Sequence, residues 1–150
     1  WNNTGDEMCT SIDDVIFYNA KTIVDDKGNL TPIEQSKDVP FDIKRVFYVY
    51  GVRGEAIRGR HAHYDTKQIL ICLKGKIDVI CSDGKNEVRY LLESPQQAVL
   101  IPELIWDEQI YRSEDSILLS ICSSYYEKKD YITDFDEFKR IKGVNWKLQL

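Results

Sequence analysis

The chain has 150 residues, 43% apolar and 30% charged, enough for one average domain and too apolar for a disordered tail. Its apolar run at 69–73 falls far short of the ~20 residues that a bilayer crossing needs. The net charge of −5 argues against a general nucleic-acid or anionic-membrane binder.

The opening Trp1-Asn-Asn-Thr-Gly-Asp-Glu7 has neither a basic nor an apolar stretch, so it does not read as an export signal. The lack of an initial Met reads as a trimmed end. From there, short runs rich in Val, Ile and Tyr recur about every ten residues between turn signals. They lie at 15–18, 30–34, 43–52, 68–73, 76–81, 87–92, 98–101, 105–111 and 116–122. Lys74-Gly75 separates two runs, Asp83-Gly84 marks a tight hairpin, and Pro95 and Pro102 interrupt the later runs. Many short strands with tight connections predict an all-β, antiparallel sandwich or barrel. A helix is expected after Asp130, read as its cap, as far as about Lys142. Ile132, Phe135, Phe138 and Ile141 share one face of it, and Gly143 is the stop. Trp146, Leu148 and Leu150 then alternate with polar residues, as an edge strand would. With no repeat and no linker, residues 1–150 read as one domain.

Cys9, Cys72, Cys81 and Cys122 form neither a CxxC pair nor a ligand cluster. That usage fits a reduced, cytoplasmic chain better than a disulfide scaffold. The charge is uneven. Between 44 and 60 stand Lys44, Arg45, Arg53, Arg58 and Arg60 against Glu55 alone. A basic segment in an acidic chain suits a small phosphorylated ligand, although scattered arginines can also be merely solvated.

The chain's 2 histidines stand two apart, as His61 and His63. On a strand they project to one face. Paired imidazoles suggest two chemistries. One is metal ligation, since His-x-His inside a barrel is a common ligand arrangement. The spacing from Gly54 through His61-x-His63 to Gln68 and Gly75 resembles the first cupin motif. Gln68 there replaces the usual ligand glutamate. Pro102-x-Leu104-x-x-Asp107 resembles the second motif, with Asp107 in place of its histidine. His61, His63 and Asp107 would still offer a two-histidine, one-carboxylate face. The other chemistry is proton transfer, because an imidazole takes and gives protons near neutrality. An isomerase that moves a carbonyl along a carbon chain needs that, together with donors for the enediolate between.

Arg45-Val-Phe-Tyr-Val-Tyr50, Ile57-Arg-Gly-Arg-His-Ala-His63 and Gln68-Ile-Leu-Ile-Cys-Leu-Lys-Gly75 together resemble the sugar 3,4-ketoisomerases of the cupin superfamily. So do Ile101-Pro-x-x-Ile-Trp106 and Ser124-Tyr-Tyr-x-x-x-Asp-Tyr-Ile132. The resemblance covers roughly residues 12–140. It implies a jelly-roll-like antiparallel barrel with a short C-terminal helix, and no metal or other cofactor. It also implies a homodimer that exchanges N-terminal strands. The implied reaction moves the keto group of a dTDP-linked 4-keto-6-deoxyglucose from C4 to C3, toward 3-amino-3,6-dideoxy sugars of bacterial surface glycans such as lipopolysaccharide. By resemblance, His63 shuttles the proton between C3 and C4, and His61 handles oxygen protons or orients the sugar. Arg58 is a candidate for the diphosphate or the ketone oxygen, Arg45 for the diphosphate, and Tyr48 and Trp106 for stacking on or bordering the nucleotide or sugar. Gln68 is a candidate for bonding the sugar or only the neighbouring histidine. Lys27 and Asp107 stand where members that differ in product stereochemistry carry Arg or Tyr, and His or Arg. A metal-dependent cupin enzyme, an epimerase of the same substrates and a sugar-nucleotide-binding cupin are the rival expectations.

Overall fold

The computed structural model describes residues 10–143; Cys9 and the strand expected around Trp146, Leu148 and Leu150 lie outside them. Among the described residues, twelve strands and one short α-helix follow in order. The strands are β1 (Ile16–Asn19), β2 (Ile23–Asp25), β3 (Gly28–Leu30), β4 (Arg45–Val49), β5 (Ile57–His63) and β6 (Gln68–Lys74). Next come β7 (Ile77–Ser82), β8 (Glu87–Leu92), β9 (Gln97–Ile101), β10 (Trp106–Tyr111), β11 (Ile117–Cys122) and β12 (Tyr131–Ile132). Helix α1 is Phe135–Ile141.

Two five-stranded antiparallel sheets form, ordered β1-β9-β6-β11-β4 and β12-β5-β10-β7-β8, with β2-β3 as a separate hairpin. The main core lies between the sheets. Leu70, Cys72, Val99, Ile101 and Leu118 of the first meet Ile77, Val79, Cys81, Leu92 and Tyr111 of the second. This is the jelly-roll-like antiparallel barrel expected of a cupin. Alternation explains most of it, since residues two apart share a face. Strand β6 is the exception, because its apolar stretch 69–72 is buried on both sides. Its Leu70 and Cys72 face the main core, whereas Ile69 and Ile71 join Val39, Ala98 and Ile121 in a second cluster.

Several boundaries differ from the sequence reading. No regular strand occupies 31–34; the chain instead turns at Asp26-Lys27 into the β2–β3 hairpin. The expected helix start is also displaced. Asp130 does not cap a helix, because Tyr131 and Ile132 pair with β5, opposite His63 and Ala62. Ile132 is thereby buried in a cluster with Ala62, Trp106 and Phe138. The cap is Asp134, whose side chain accepts from the Glu137 amide at 2.9 Å. Gly143 still ends the helix, at φ +68°. Among the described residues, no helix is long and apolar enough to cross a membrane.

Candidate active site

A single bulge builds one wall of the barrel's interior. In the β5–β10 ladder, Glu108 lies opposite Gly59 and Asp107 opposite His61, so Arg60 is left over. Gly59 and Arg60 sit at φ +77° and +59°, the left-handed region in which a bulge is readily made. Strict alternation would place Arg58 and His61 on opposite faces, because they are three apart. The extra residue resets the period. Arg58, opposite Gln109, and His61, opposite Asp107, then share the inner face. Arg60 itself turns outward, 3.6 Å from Glu108.

Beyond the bulge, His61 and His63 project together as their spacing predicts. Their ring centroids are 4.9 Å apart and their planes stand at 86°. The Tyr131 ring closes the group, 5.0 Å from His61 and 4.4 Å from His63. Because β12 pairs with the end of β5, the preceding Asp130 is delivered beside His63. Its Oδ2 lies 2.9 Å from His63 Nδ1. The same carboxylate accepts from the Thr66 hydroxyl and, at 2.8 Å, from the Asp65 amide. Despite partial burial, these donors hold Asp130 below the usual carboxylate range.

An ionised Asp130 only accepts, so Nδ1 of His63 carries the hydrogen and Nε2 keeps a lone pair. Burial pushes the His63 pKa down to about 4, helped by the charge of neighbouring His61 and opposed by Asp130. His63 is therefore a neutral, oriented base at physiological pH. The sequence names Asp130 as a helix cap and within the Ser124–Ile132 match, but not as a site residue. Its only sequence signal is the Asp-Tyr-Ile triplet, which alternates like a strand as readily as it caps a helix.

Asp107 is completely buried on the inner face. Its Oδ2 accepts from Gln68 Nε2 at 3.0 Å and its Oδ1 from Gln109 Nε2 at 2.9 Å. Burial raises its pKa, against the pull of His61 and of the two amides. Arg45, on edge strand β4, places its guanidinium 5.6 Å from the rings of both Phe47 and Tyr126. Its charge reaches His63 and Tyr131, and its buried Nε has no partner among the described residues. A cavity of about 440 Å³, bordered by Tyr64, Ser124, Tyr125 and Lys129, opens against Asp130.

Of the two-histidine, one-carboxylate face that a cupin metal would use, Asp107 spends both oxygens on glutamine amides. Among the described residues, no three His, Cys, Asp or Glu side chains are arranged to hold an ion.

Three expected site residues lie elsewhere in the chain. Trp106 alternates outward from Asp107 and packs under α1, 5.1 Å from Phe135 and 5.7 Å from Phe138. Its indole N–H donates to Glu108 at 3.3 Å. Tyr48 lies opposite Leu119, a residue of the outer cluster, and stacks on Tyr50 at 5.8 Å. Lys27 is at the exposed turn of the β2–β3 hairpin. His61, His63, Gln68, Asp107, Arg58 and Arg45 are the expected residues that share the barrel interior or its rim.

The pattern of the family described as FdtA (WxcM-like, C-terminal) matches residues 13–143. A TDP-4-oxo-6-deoxy-alpha-D-glucose-3,4-oxoisomerase of Aneurinibacillus thermoaerophilus is 39% identical over 122 residues, covering 81% of this chain and 88% of that protein. The 3,4-ketoisomerase QdtA of Thermoanaerobacterium thermosaccharolyticum, solved with TDP, superposes with a TM-score of 0.85 at 35% identity. That match covers 90% of this chain and 98% of QdtA. An H-to-N mutant of QdtA was solved with TDP-4-keto-6-deoxyglucose. A 3,4-ketoisomerase of Helicobacter canadensis gives a TM-score of 0.83 at 33% identity, covering 87% of this chain and 98% of that one.

Proposed function

Since the chain belongs to the FdtA family of sugar 3,4-ketoisomerases, we propose that it converts a TDP-linked 4-keto-6-deoxyglucose to the 3-keto isomer through an enediol. The observation that carries this reading is the His63–Asp130 pair, with His61 at its side inside the barrel.

Neutral His63 Nε2 removes the proton from C3, and the C–H electrons form the C3–C4 double bond while O4 gains a proton. The O3 proton then leaves, C3 becomes the carbonyl, and His63 returns its proton to C4. Net, one proton passes from C3 to C4 and another from O3 to O4. His61 stands where it can carry the oxygen protons. Asp130 keeps the His63 ring in one tautomer and balances its charge when protonated. Nothing in these steps changes the redox state of the protein or calls on a metal.

Arg58 and Arg45 suit the diphosphate, because guanidinium groups match phosphate oxygens and both lie at the interior or its rim. The cavity beside Asp130, with its tyrosines and Lys129, suits the nucleotide. The β2–β3 hairpin gives a reason to read the protein as a homodimer with exchanged N-terminal strands. All of its residues are exposed, Val24 to 70%, and an isolated two-stranded hairpin is marginal in water. Seated on a second copy, it would also carry Lys27 away from its own barrel. A cytoplasmic enzyme supplying amino sugars for a surface glycan such as lipopolysaccharide completes this reading.

The test is incubation with TDP-4-keto-6-deoxyglucose in the presence of chelator, followed by NMR. The carbonyl carbon is expected to move from C4 to C3. Inversion at a ring carbon with the carbonyl still at C4 would mark an epimerase, and an unchanged sugar would mark a binding protein.

A further inference from the structure

The polar network around Asp107 has a direction. The Ser120 hydroxyl donates to Gln68 Oε1 at 3.3 Å, and Gln68 Nε2 donates onward to Asp107 Oδ2 at 3.0 Å. From the other side, the Tyr111 hydroxyl donates to Gln109 Oε1 at 3.1 Å, and Gln109 Nε2 donates to Asp107 Oδ1 at 2.9 Å. Two chains of donors, one from each sheet, thus converge on one carboxylate. Both Asp107 oxygens accept in this network, so flipping either amide would set its carbonyl against a carboxyl oxygen. Each glutamine nitrogen therefore stays turned toward Asp107, whose cross-strand partner is His61. Each also carries two hydrogens and spends one of them on Asp107.

The position of this cluster is not incidental. Asp107 is the cross-strand partner of His61, and the bulge puts both on the inner face. Room for the cluster comes from Gly59. A Cβ there would lie 2.9 Å from Asp107 Oδ1 and 3.2 Å from Gln109 Nε2. A buried carboxylate is costly, and a wholly structural strut between the sheets could be apolar at lower cost.

We propose that Asp107 is a positioning residue, which holds Gln68 and Gln109 so that their remaining amide hydrogens donate to the oxygens of the enediolate. This inference rests on the isomerase reading above. In that reaction, negative charge develops on the oxygens at C3 and C4. Preoriented donors in a water-poor interior act on such charge far more strongly in the transition state than in the ground state. Neither glutamine exchanges a proton with the sugar. Their contribution is fixed direction, and Asp107 is what fixes it.

The experiment is a double-mutant cycle on kcat, with Tm recorded for each variant. Asp107→Asn keeps the shape but offers one acceptor and one donor, so one glutamine must reverse and present its carbonyl. We expect kcat to fall about 10- to 100-fold with KM within about threefold. Gln109→Met and Gln68→Met should each lower kcat about tenfold or more. Adding Asp107→Asn to the double Met variant should cost little further, because Asp107 acts through the glutamines. Strictly additive losses, or a kcat for Gln109→Met equal to the parent's, would overturn the inference. If Asp107→Asn does not fold, the two methionine variants decide the matter on the same scale. A wild-type chain that moves no carbonyl would remove the isomerase reading itself; one that does, with glutamine variants unaffected, removes this inference alone.

Discussion

Two aspartates flank the histidine pair, and their surroundings are opposite. Asp130 sits at the rim, on the short strand that pairs with the end of β5. A hydroxyl, a backbone amide and an imidazole donate to it, and its pKa is lowered. Asp107 is enclosed between the sheets, receives only side-chain amides, and its pKa is raised. One residue type thus answers two needs. A carboxylate near solvent with strong donors stays charged and can stabilise an imidazolium beside it. An enclosed one is a fixed acceptor around which neutral groups are oriented.

The largest expected effect tests the Asp130 side. His63→Asn should fold normally and lose about 1,000-fold or more of isomerase activity, since it removes the general base. An NMR assay of carbonyl position measures that loss. Asp130→Asn should follow, with kcat lower by about 100-fold and KM little changed, because the ring loses its fixed tautomer. Asp130 also raises the His63 pKa, so the same variant should push any acid limb of the rate profile lower still.

The pH dependence sharpens the contrast further. With His63 shifted from 6.5 to about 4, kcat/KM is expected to stay level on the His63 account until pH approaches 4. His61→Asn should move that limb upward, since the neighbouring imidazole is among the causes of the depression. Stability carries the same signature. The unfolded chain protonates His63 below about 6.5, while the fold resists until about 4. The fold should therefore lose about 3 kcal/mol as pH drops through that window, and none of it above pH 7. Urea titrations of the parent and of His63→Asn, compared across pH, read this difference. The smallest catalytic effect belongs to Trp106→Ala. It should cost about 3 kcal/mol of stability through lost packing on Phe135 and Phe138, yet leave kcat of the folded protein within about threefold.

What could be read from sequence follows from which rules stayed local. Two-residue alternation located the strands and paired the histidine rings. The same alternation sends Trp106 and Asp107 to opposite faces, Asp107 to the interior and Trp106 under α1. The bulge at Gly59-Arg60 is harder to foresee. Its signal is a glycine inside a strand, and only the register against β10 shows that it turns Arg58 inward. Asp130 was hidden by an ambiguity of period. Ile132, Phe135, Phe138 and Ile141 fit a helix at three-residue spacing, so the strand pairing of Tyr131 and Ile132 was decided by β5, a tertiary partner. Lys27 and Tyr48 teach a different limit. Tyr48 lies on the outer face of its sheet and Lys27 at an exposed turn, so neither is joined to the interior by strand alternation.

The measurement that bears most directly on the account is deuterium incorporation at C4 of the 3-keto product during turnover in D2O, compared between the parent and His63→Asn. The account expects deuterium at C4 in the parent and essentially none with Asn at position 63. Incorporation at the parent's rate in that variant would contradict it, since some other group would then be moving the carbon-bound proton.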